Sequence, residues 1–177
     1  MKVEKTKLDG VLVIKPETFE DTRGFFLESF NKDRYREAGI NFDFVQDNHS
    51  HSTRGVLRGL HYQKTKPQGK LVRVVRGEVF DVAVDIRNGS KTFGQWEAIM
   101  LSEDNKTQFW VPPGFAHGFV VLSETADFEY KCTDYYDSSD ENSLLWNDPD
   151  LDIDWPIKNP ILSRKDSNAL KLFDLKL

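Results

Sequence analysis

Imidazole side chains offer the widest choice of chemistry in this sequence, because they bind metals and also move protons near neutral pH. The chain has four of them, His49, His51, His61 and His117. His49 and His51 are two residues apart, so on a strand both rings project from one face, as in metal-binding β-barrels. The glutamate and the later histidine that complete such a set do not follow at suitable spacing. The pair is therefore either half of a metal site or two exposed polar side chains.

His61 stands among cations and glycines rather than among other metal ligands. The segment Arg54–Gln63 contains Arg58 and a strand-like stretch with Gly55 and Gly59 beside it. In such a setting histidine can act as a general base, while an arginine binds a phosphorylated substrate through two hydrogen bonds. A core histidine satisfied by backbone groups fits the same pattern. Both interpretations stay open on residue chemistry alone.

Four other polar side chains occur where a strand or a turn is predicted. Lys70 opens a strand whose alternate residues are apolar, so its ammonium group points either into a barrel or into water. His117 follows a Pro-Pro-Gly turn, and Tyr130 is a phenol at an alternating position of a late strand. Asp166 fits two roles, a carboxylate that orients a histidine or a residue of a surface turn or helix cap.

Short apolar stretches of strand length, rich in Val, Phe, Tyr and Ile, must carry these side chains. Turn signals such as Pro112–Gly114 separate them at about the 8 to 12 residues typical of a sandwich or barrel. Helical signals are few: Lys32–Ala38 ends at Gly39, and the tail from Ser163 predicts a second short helix. The sequence therefore predicts a mainly β fold, an antiparallel jelly-roll sandwich or barrel with a few short helices.

The predicted strand Glu78–Arg87 has two faces of different character. One face, from Phe80 to Ile86, is apolar and belongs to a core. The other carries Asp81 and Asp85, which are either solvated surface or the polar lining of a barrel mouth.

Length and composition restrict the class of protein and the partners that this chain can have. A chain of 177 residues suits one domain, which we expect to span 1–177. With 38% hydrophobic and 12% aromatic residues, the chain is not disordered. A net charge of −5 offers no basic surface for nucleic acid or an anionic membrane, so neither is an expected partner.

The chain contains a single cysteine, Cys132. One thiol rules out an intrachain disulfide and suits a reducing compartment, so the cytoplasm is the expected location. No apolar run is long enough for a signal peptide behind Met1–Gly10 or for a membrane-spanning helix elsewhere. We therefore expect no membrane segment.

Taken together, these segments resemble the dTDP-4-dehydrorhamnose 3,5-epimerase family of cupin-like jelly rolls. The resemblance covers nearly the whole chain, and several motifs in register are far more specific than any one of them. The matching segments are Asp21–Glu28, Gln46–Asn48, Gly55–Gln63, Gly69–Arg73, Val79–Arg87, Thr92–Trp96, Trp110–Phe119, Tyr130–Tyr136, Trp155–Pro156 and Leu162–Asp166.

The resemblance implies epimerisation of dTDP-4-dehydro-6-deoxy-D-glucose at C3 and C5, through enolates and without cofactor or metal, as a step towards L-rhamnose. By motif position His61 is then the base, Asp166 its carboxylate partner and Tyr130 the acid on the opposite face of the sugar. Lys70 is the cation that faces the developing enolate oxygen, and Asp81 is expected to tether it.

The resemblance also implies a substrate-binding set and a homodimer. The segment with Arg23 and Glu28 then completes the partner's site, and Phe19, Phe26 or Tyr136 stacks on thymine. The expected substrate contacts are Arg23, Glu28, Gln46, Asp47, Asn48, Arg58, His117, Glu141 and Lys165.

Three alternatives remain open. Relatives with these motifs act at C3 alone or at C5 alone, so a single-centre epimerase of a related nucleotide deoxysugar is the first. A metal-dependent cupin enzyme that uses His49, His51 and His117 is the second, and a non-catalytic sugar-binding jelly roll is the third. The joint presence of the four proposed catalytic side chains favours an enzyme over a binding module.

Overall fold

The computed structural model describes residues 1–176, which form two antiparallel β-sheets packed face to face and a small separate hairpin. The strands are β1 (Lys2–Lys5), β2 (Leu12–Lys15), β3 (Thr18–Asp21), β4 (Gly24–Leu27), β5 (Gln46–Thr53), β6 (Leu57–Gln63), β7 (Lys70–Arg76), β8 (Glu78–Asp85), β9 (Trp96–Ser102), β10 (Gln108–Val111), β11 (Phe115–Val121), β12 (Thr125–Cys132) and β13 (Glu141–Ser143). The helices are α1 (Lys32–Glu37) and α2 (Arg164–Ser167), followed by a 3-10 turn at Leu172–Asp174.

The two large sheets have an interleaved strand order. One has six strands in the order β1-β2-β10-β7-β12-β5, and the other has five in the order β13-β6-β11-β8-β9. The pairings between these strands are antiparallel, and the hairpin β3–β4 forms its own two-stranded sheet. This arrangement, with only short helices beside it, confirms the predicted antiparallel jelly-roll fold.

The space between the two sheets holds the main core. Phe109 and Phe128 from the six-stranded sheet pack with Val79, Leu101 and Phe119 from the five-stranded sheet, and all five are at most 4% exposed. The rings of Phe119 and Phe128 stack with their centroids 4.1 Å apart. This stacked pair joins the two sheets and also forms an apolar part of the wall of the site described below.

Each large sheet also buries part of its outer face. Leu144, Trp155 and Leu172 from the C-terminal part of the chain cover the five-stranded sheet. Tyr35 of α1 and the nearby Ile40 cover one end of the six-stranded sheet. Several strands are therefore apolar on both faces, which explains why their sequences are apolar runs rather than strict alternations.

Strand β8 is an example of a strand buried on both faces. Phe80 packs against Trp155 of the outer layer, with ring centroids 5.8 Å apart. Asp81 and Asp85 point into the interior and are 0% exposed. The polar face of this strand is therefore interior lining and not solvated surface.

A β-bulge in β6 determines which of its residues share a face. Strand β11 pairs His117 with His61 and Phe119 with Arg58, so an extra residue of β6 lies between these two pairs. Arg58 and His61 consequently both face the interior, although strict alternation would place them on opposite faces. Gly59 lies in the bulge at φ 127°, and a Cβ at this position would lie 2.6 Å from a backbone Cα of β11.

The two predicted helices are present and have side-chain caps. The Asn31 side chain accepts hydrogen bonds at the start of α1, and the chain leaves this helix through Gly39 at φ 98°. The Ser163 hydroxyl caps α2 by accepting a hydrogen bond from the backbone N–H of Asp166 at 3.1 Å. Within residues 1–176 no helix is long and apolar enough to cross a membrane.

Candidate active site

A cavity of about 350 Å³ opens between the two sheets. Strands β5, β7 and β12 line one side, and β6, β11 and β13 line the other. Many of the site residues predicted from the sequence contribute to its wall. These are Gln46, Asn48, Arg58, His61, Lys70, His117, Tyr130 and Glu141.

A short contact between ionisable groups joins His61 of this site to Asp166. The Nε2 atom of the imidazole lies 2.6 Å from Oδ1 of Asp166, whose side chain is only 4% exposed. Burial raises the pKa of this carboxyl, but the hydrogen bond and charge of His61 outweigh it, with help from Ser163 and the backbone N–H of Gly59, so the pKa lies below its ordinary value. Asp166 is therefore a carboxylate that fixes the orientation of the ring and stabilises it once protonated.

The second nitrogen of His61 faces Glu141 across a gap. Nδ1 lies 3.9 Å from Oε1 of Glu141. The other oxygen, Oε2, accepts hydrogen bonds from Tyr136 Oη at 2.9 Å and from Lys165 Nζ at 2.5 Å. Burial raises the pKa of Glu141, but these two hydrogen bonds and the charges of His61 and Lys165 lower it further than burial raises it. Glu141 is therefore ionised beside the imidazole.

Lys70 brings a cation to the inner face of β7, directly opposite Cys132 of β12. Burial lowers the pKa of its ammonium group, while the nearby Glu141 and Asp81 act in the opposite direction. Within residues 1–176, its Nζ atom forms none of the ion pairs of the structure. A charge held here is available to a negative group inside the cavity.

The predicted tether between Asp81 and Lys70 is wrong. Oδ1 of Asp81 lies 2.8 Å from Nε2 of His117, and both side chains are buried. Oδ2 of Asp81 is buried without a hydrogen-bond partner among the described residues. His117 is thus held by a carboxylate from the neighbouring strand β8, as His61 is held by Asp166.

Tyr130 lies on β12, opposite Asn48 of β5 and Val72 of β7. Burial raises the pKa of its hydroxyl to about 12, and the negative charge of Glu141 adds to this effect. Tyr130 is therefore a phenol with a proton to donate at neutral pH.

The polar residues of β5 and β6 lie beside this group. The Nε atom of Arg58 donates a hydrogen bond to the Ser52 hydroxyl at 3.0 Å, and the residue is otherwise exposed. Gln46 donates to Oδ1 of Asn48 at 3.0 Å, and its own Oε1 accepts from the backbone N–H of Tyr136 at 2.8 Å. These contacts hold amide and guanidinium groups next to the cavity, where they can bind polar parts of a ligand.

Four predicted substrate contacts do not lie in the wall of this cavity. Asp47 is on the outer face of its sheet, where its carboxylate binds Lys131 at 3.0 Å, because neighbouring residues of a strand face opposite sides. Arg23 is 88% exposed and pairs with Asp21 in the β3–β4 hairpin. The other two are Glu28, which pairs with Arg34, and Lys165, which contacts Glu141 at the edge of the site.

The histidines of the alternative metal site do not converge. His49 and His51 lie on the outer face of β5, and each places a ring nitrogen 3.0 Å from the same Oδ1 atom of Asp127. His117 faces the interior, on the opposite side of this sheet. No group of three metal-ligand side chains occurs among residues 1–176. The arrangement required by the metal-dependent cupin alternative is therefore absent from the described chain.

Two carboxylates that bind histidines were not predicted from the sequence. Asp127 binds the exposed histidine pair, and its position opposite His51 becomes visible only once the register of β5 and β12 is known. The pairing of Asp81 with His117 could not be predicted either. The one available signal was the place of Asp81 on the polar face of a strand with alternating apolar and polar residues, which made it a candidate for the interior.

Comparisons with known proteins identify the family of the chain. A family model for dTDP-4-dehydrorhamnose 3,5-epimerase matches residues 5–174. The chain is 57% identical to the enzyme of that name from Pseudomonas aeruginosa and 56% identical to the one from Shigella flexneri, in each case over 98% of this chain and 97% of the relative. The dTDP-6-deoxy-D-glucose-3,5-epimerase from Legionella pneumophila, solved in complex with dTDP-4-keto-L-rhamnose, superimposes with a TM-score of 0.96 at 56% identity, covering 98% of this chain and 94% of that one. The chain therefore belongs to the dTDP-4-dehydrorhamnose 3,5-epimerase family.

Proposed function

We propose that this chain inverts C3 and C5 of dTDP-4-dehydro-6-deoxy-D-glucose and so forms dTDP-4-dehydro-L-rhamnose, a precursor of L-rhamnose. The observation that carries the proposal is the 2.6 Å contact between His61 and the buried Asp166, within a cavity that Lys70 and Tyr130 also line. The family membership of the whole chain supports the same activity.

The chemistry follows from the C4 ketone of this sugar. C3 and C5 both neighbour the carbonyl, so removal of the hydrogen from either carbon gives an enolate whose charge resides on the C4 oxygen. Return of a proton from the opposite face inverts the carbon. The reaction needs a base, an acid on the other face and a stabiliser for the oxyanion, and all three can be side chains.

Each of these tasks falls to one side chain of the cavity. Nδ1 of His61 removes the proton, while Asp166 holds the ring and stabilises the imidazolium ion. Lys70 stabilises the enolate oxygen, and its charge acts strongly because the group is largely removed from water. Tyr130, whose hydroxyl has a pKa of about 12, delivers the proton to the opposite face.

The remaining polar groups bind the nucleotide and the sugar. Arg58 offers a guanidinium group to the pyrophosphate, while Gln46 and Asn48 offer amides from the same wall. Lys165, placed at the edge of the site by its contact with Glu141, adds a second cation. His117, held by its carboxylate, presents its ring to the sugar.

We also propose a homodimer in which the β3–β4 hairpin completes the partner's site. Arg23, Phe19 and Phe26 are exposed on this hairpin, and the two phenylalanine residues are 58% and 69% exposed. Exposed aromatic side chains on this hairpin suit stacking on a thymine base and burial against a second copy. A cytoplasmic enzyme is consistent with the single reduced thiol of Cys132.

Incubation with dTDP-4-dehydro-6-deoxy-D-glucose in D2O tests the proposal. We expect deuterium at C3 and at C5 of the product, located by proton NMR, together with the coupling constants of the L-rhamno configuration. Deuterium at one carbon alone would identify a single-centre epimerase. A sugar that stays unlabelled would contradict an epimerase of this substrate altogether.

A further inference from the structure

The proposed chemistry leaves two residues in altered protonation states after the first inversion. Nδ1 of His61 has gained a proton from carbon, and the Tyr130 oxygen has given its own proton to the opposite face. A second inversion of the same bound sugar needs a neutral imidazole and a phenol again. One proton must therefore leave His61, and one must reach Tyr130, before the second inversion begins.

Bound substrate restricts the routes by which His61 can lose this proton. In the open cavity its side chain is 27% exposed, so water reaches the ring directly. A nucleotide sugar in the cavity displaces most of that water and closes the direct route from the ring to the mouth of the cavity, although single waters can stay in gaps of the wall. On the other side of the ring, Nε2 is occupied by Asp166, which is itself 4% exposed and offers no path to the surface.

Glu141 occupies the remaining direction. Its Oε1 atom lies 3.9 Å from Nδ1 of His61, a gap that suits one bridging water. Within residues 1–176, Oε1 accepts no hydrogen bond, whereas Oε2 accepts those of Tyr136 and Lys165. The Glu141 side chain is 22% exposed and that of Lys165 is 45% exposed, so this network leads from the imidazole to the rim of the cavity.

We propose that Glu141 carries the proton of His61 to solvent between the two inversions. This inference rests on the proposed function, and in it Glu141 acts through His61. The proton passes from Nδ1 of the imidazolium ion through a water to the Glu141 carboxylate. The resulting carboxylic acid releases it to water at the rim. The Tyr130 phenolate takes one proton from water. One proton is thus released and one is taken up, so the overall number of protons is unchanged, and these transfers do not alter the sugar.

Single-turnover measurements on Glu141→Gln test this relay. Glutamine keeps the size of the side chain but does not accept the proton, so the second inversion should slow more than the first. With enzyme in excess over the 4-dehydro sugar, NMR of quenched samples follows the singly and the doubly inverted products. We expect the ratio of the second rate constant to the first to fall at least about tenfold, and singly inverted sugar to accumulate.

Rescue by a small acid separates proton transfer from substrate binding. Formate or azide added to Glu141→Gln, or to Glu141→Ala where formate has more room, should restore the ratio. A thermal melt of both variants checks that they fold. Equal slowing of the two inversions, or a lowered ratio that formate leaves unchanged in both variants, would overturn the relay.

Asp166→Asn is the matched control, because Asp166 assists the base in both proton removals. This variant should slow the two inversions together and leave their ratio unchanged. Failure of the proposed function is visible separately, since a wild-type enzyme that labels one carbon alone performs no second inversion.

Discussion

The two nitrogens of His61 have different surroundings, because Asp166 holds Nε2 and leaves Nδ1 towards the cavity, where the proposed mechanism uses it as the base. Replacement by asparagine keeps a polar side chain but removes the basic nitrogen. We expect His61→Asn to abolish deuterium uptake at both carbons and to lower kcat/KM at least about a thousandfold. NMR in D2O measures the uptake. Deuterium uptake at the wild-type rate would remove His61 from the mechanism.

Arg58→Ala provides a control in the same strand. Its guanidinium group is proposed to bind pyrophosphate and to touch neither reacting carbon, so its loss should raise KM while saturating substrate still exchanges at both carbons. Initial rates over a range of substrate concentrations separate the two parameters. An unchanged KM would exclude Arg58 from the phosphate site.

Tyr130→Phe separates proton removal from inversion. The variant keeps His61 and Asp166, so hydrogen still leaves carbon, but the opposite face lacks its donor and the proton returns from the side of His61. We expect deuterium uptake with retention of configuration, and formation of inverted product slower by about a hundredfold or more. NMR configuration analysis of the labelled sugar measures both. Normal inversion would require a different donor.

At the scale of elements, the bulge in β6 depends on a close approach between Gly59 and β11. A Cβ at residue 59 would lie 2.6 Å from Cα of Gly118, and the φ of 127° is unfavourable for any other residue. We expect Gly59→Ala to lower the free energy of unfolding by about 3 kcal/mol or more, and activity with it, since the bulge places both Arg58 and His61. Urea unfolding measures the loss.

Gly39→Ala is the matched control for this prediction. Gly39 also has a positive φ, 98°, but nothing lies within 4 Å of a Cβ built there. Its replacement should cost only about 1 kcal/mol, the strain of the backbone alone. Similar losses for both variants would show that the contact across the sheet contributes little.

Asp85 on β8 gives an element-scale prediction of acid sensitivity. Burial raises the pKa of this carboxyl, but hydrogen bonds from Arg87, Ser90 and Thr92 outweigh it and lower the pKa to about 2. Because the pKa is depressed on folding, the stabilisation is present above the unfolded pKa of about 3.9 and is lost as the pH falls towards 2. We expect Asp85→Asn to be less stable by about 2 kcal/mol at pH 7.

Urea unfolding of both proteins from pH 7 down to pH 3 checks this. The difference in unfolding free energy should stay constant near neutral pH and shrink below pH 4. A difference in unfolding free energy that stays the same from pH 7 to pH 3 would mean that the carboxylate charge does not stabilise the fold.

Most of the secondary-structure elements could be predicted from the sequence. The features that depend on how strands pair could not. The strands and both helix caps follow from local patterns, as at Gly39 and Ser163. Alternation along β5 already implies that Gln46, Asp47 and Asn48 cannot share one cavity, and treating them as one motif overlooked this. The bulge was not predicted, although a glycine inside a strand pattern, as at Gly59, often marks one. Its effect on which residues share a face depends on how β11 pairs with β6.

The candidate site was predictable mainly through the family motifs. From residue types alone, His61 remained either a base or a core residue, because its partner Asp166 is 105 residues away. No local pattern links residues so distant in sequence. Asp81 was assigned to the wrong partner, since only the pairing of β8 with β11 places it beside His117.

For the whole molecule, shared sites in the proposed homodimer lead to complementation between inactive chains. Arg23→Ala damages the hairpin given to the partner, and His61→Asn damages the chain's own cavity. A hybrid dimer of the two variants has one site with both residues intact. The two variants are mixed in equal amounts, unfolded and refolded together. Half of the dimers are then hybrids, and each hybrid has one working site of two, so the mixture should recover about a quarter of wild-type activity.

Activity measured before and after co-refolding, with the dimer checked by sedimentation, tests the sharing. A mixture no more active than its separate components would place Arg23 outside the partner's site.

The span of 105 residues between His61 and Asp166 also bears on synthesis of the protein. The ribosome completes β1 to β13 before it adds the carboxylate that aligns the imidazole. A nascent chain that lacks Asp166 therefore has His61 without the carboxylate that orients the ring in the proposed mechanism. In the proposed mechanism full activity therefore requires that the segment with Asp166 has docked on β6, so activity reports this late step of assembly as well as the formation of the two sheets.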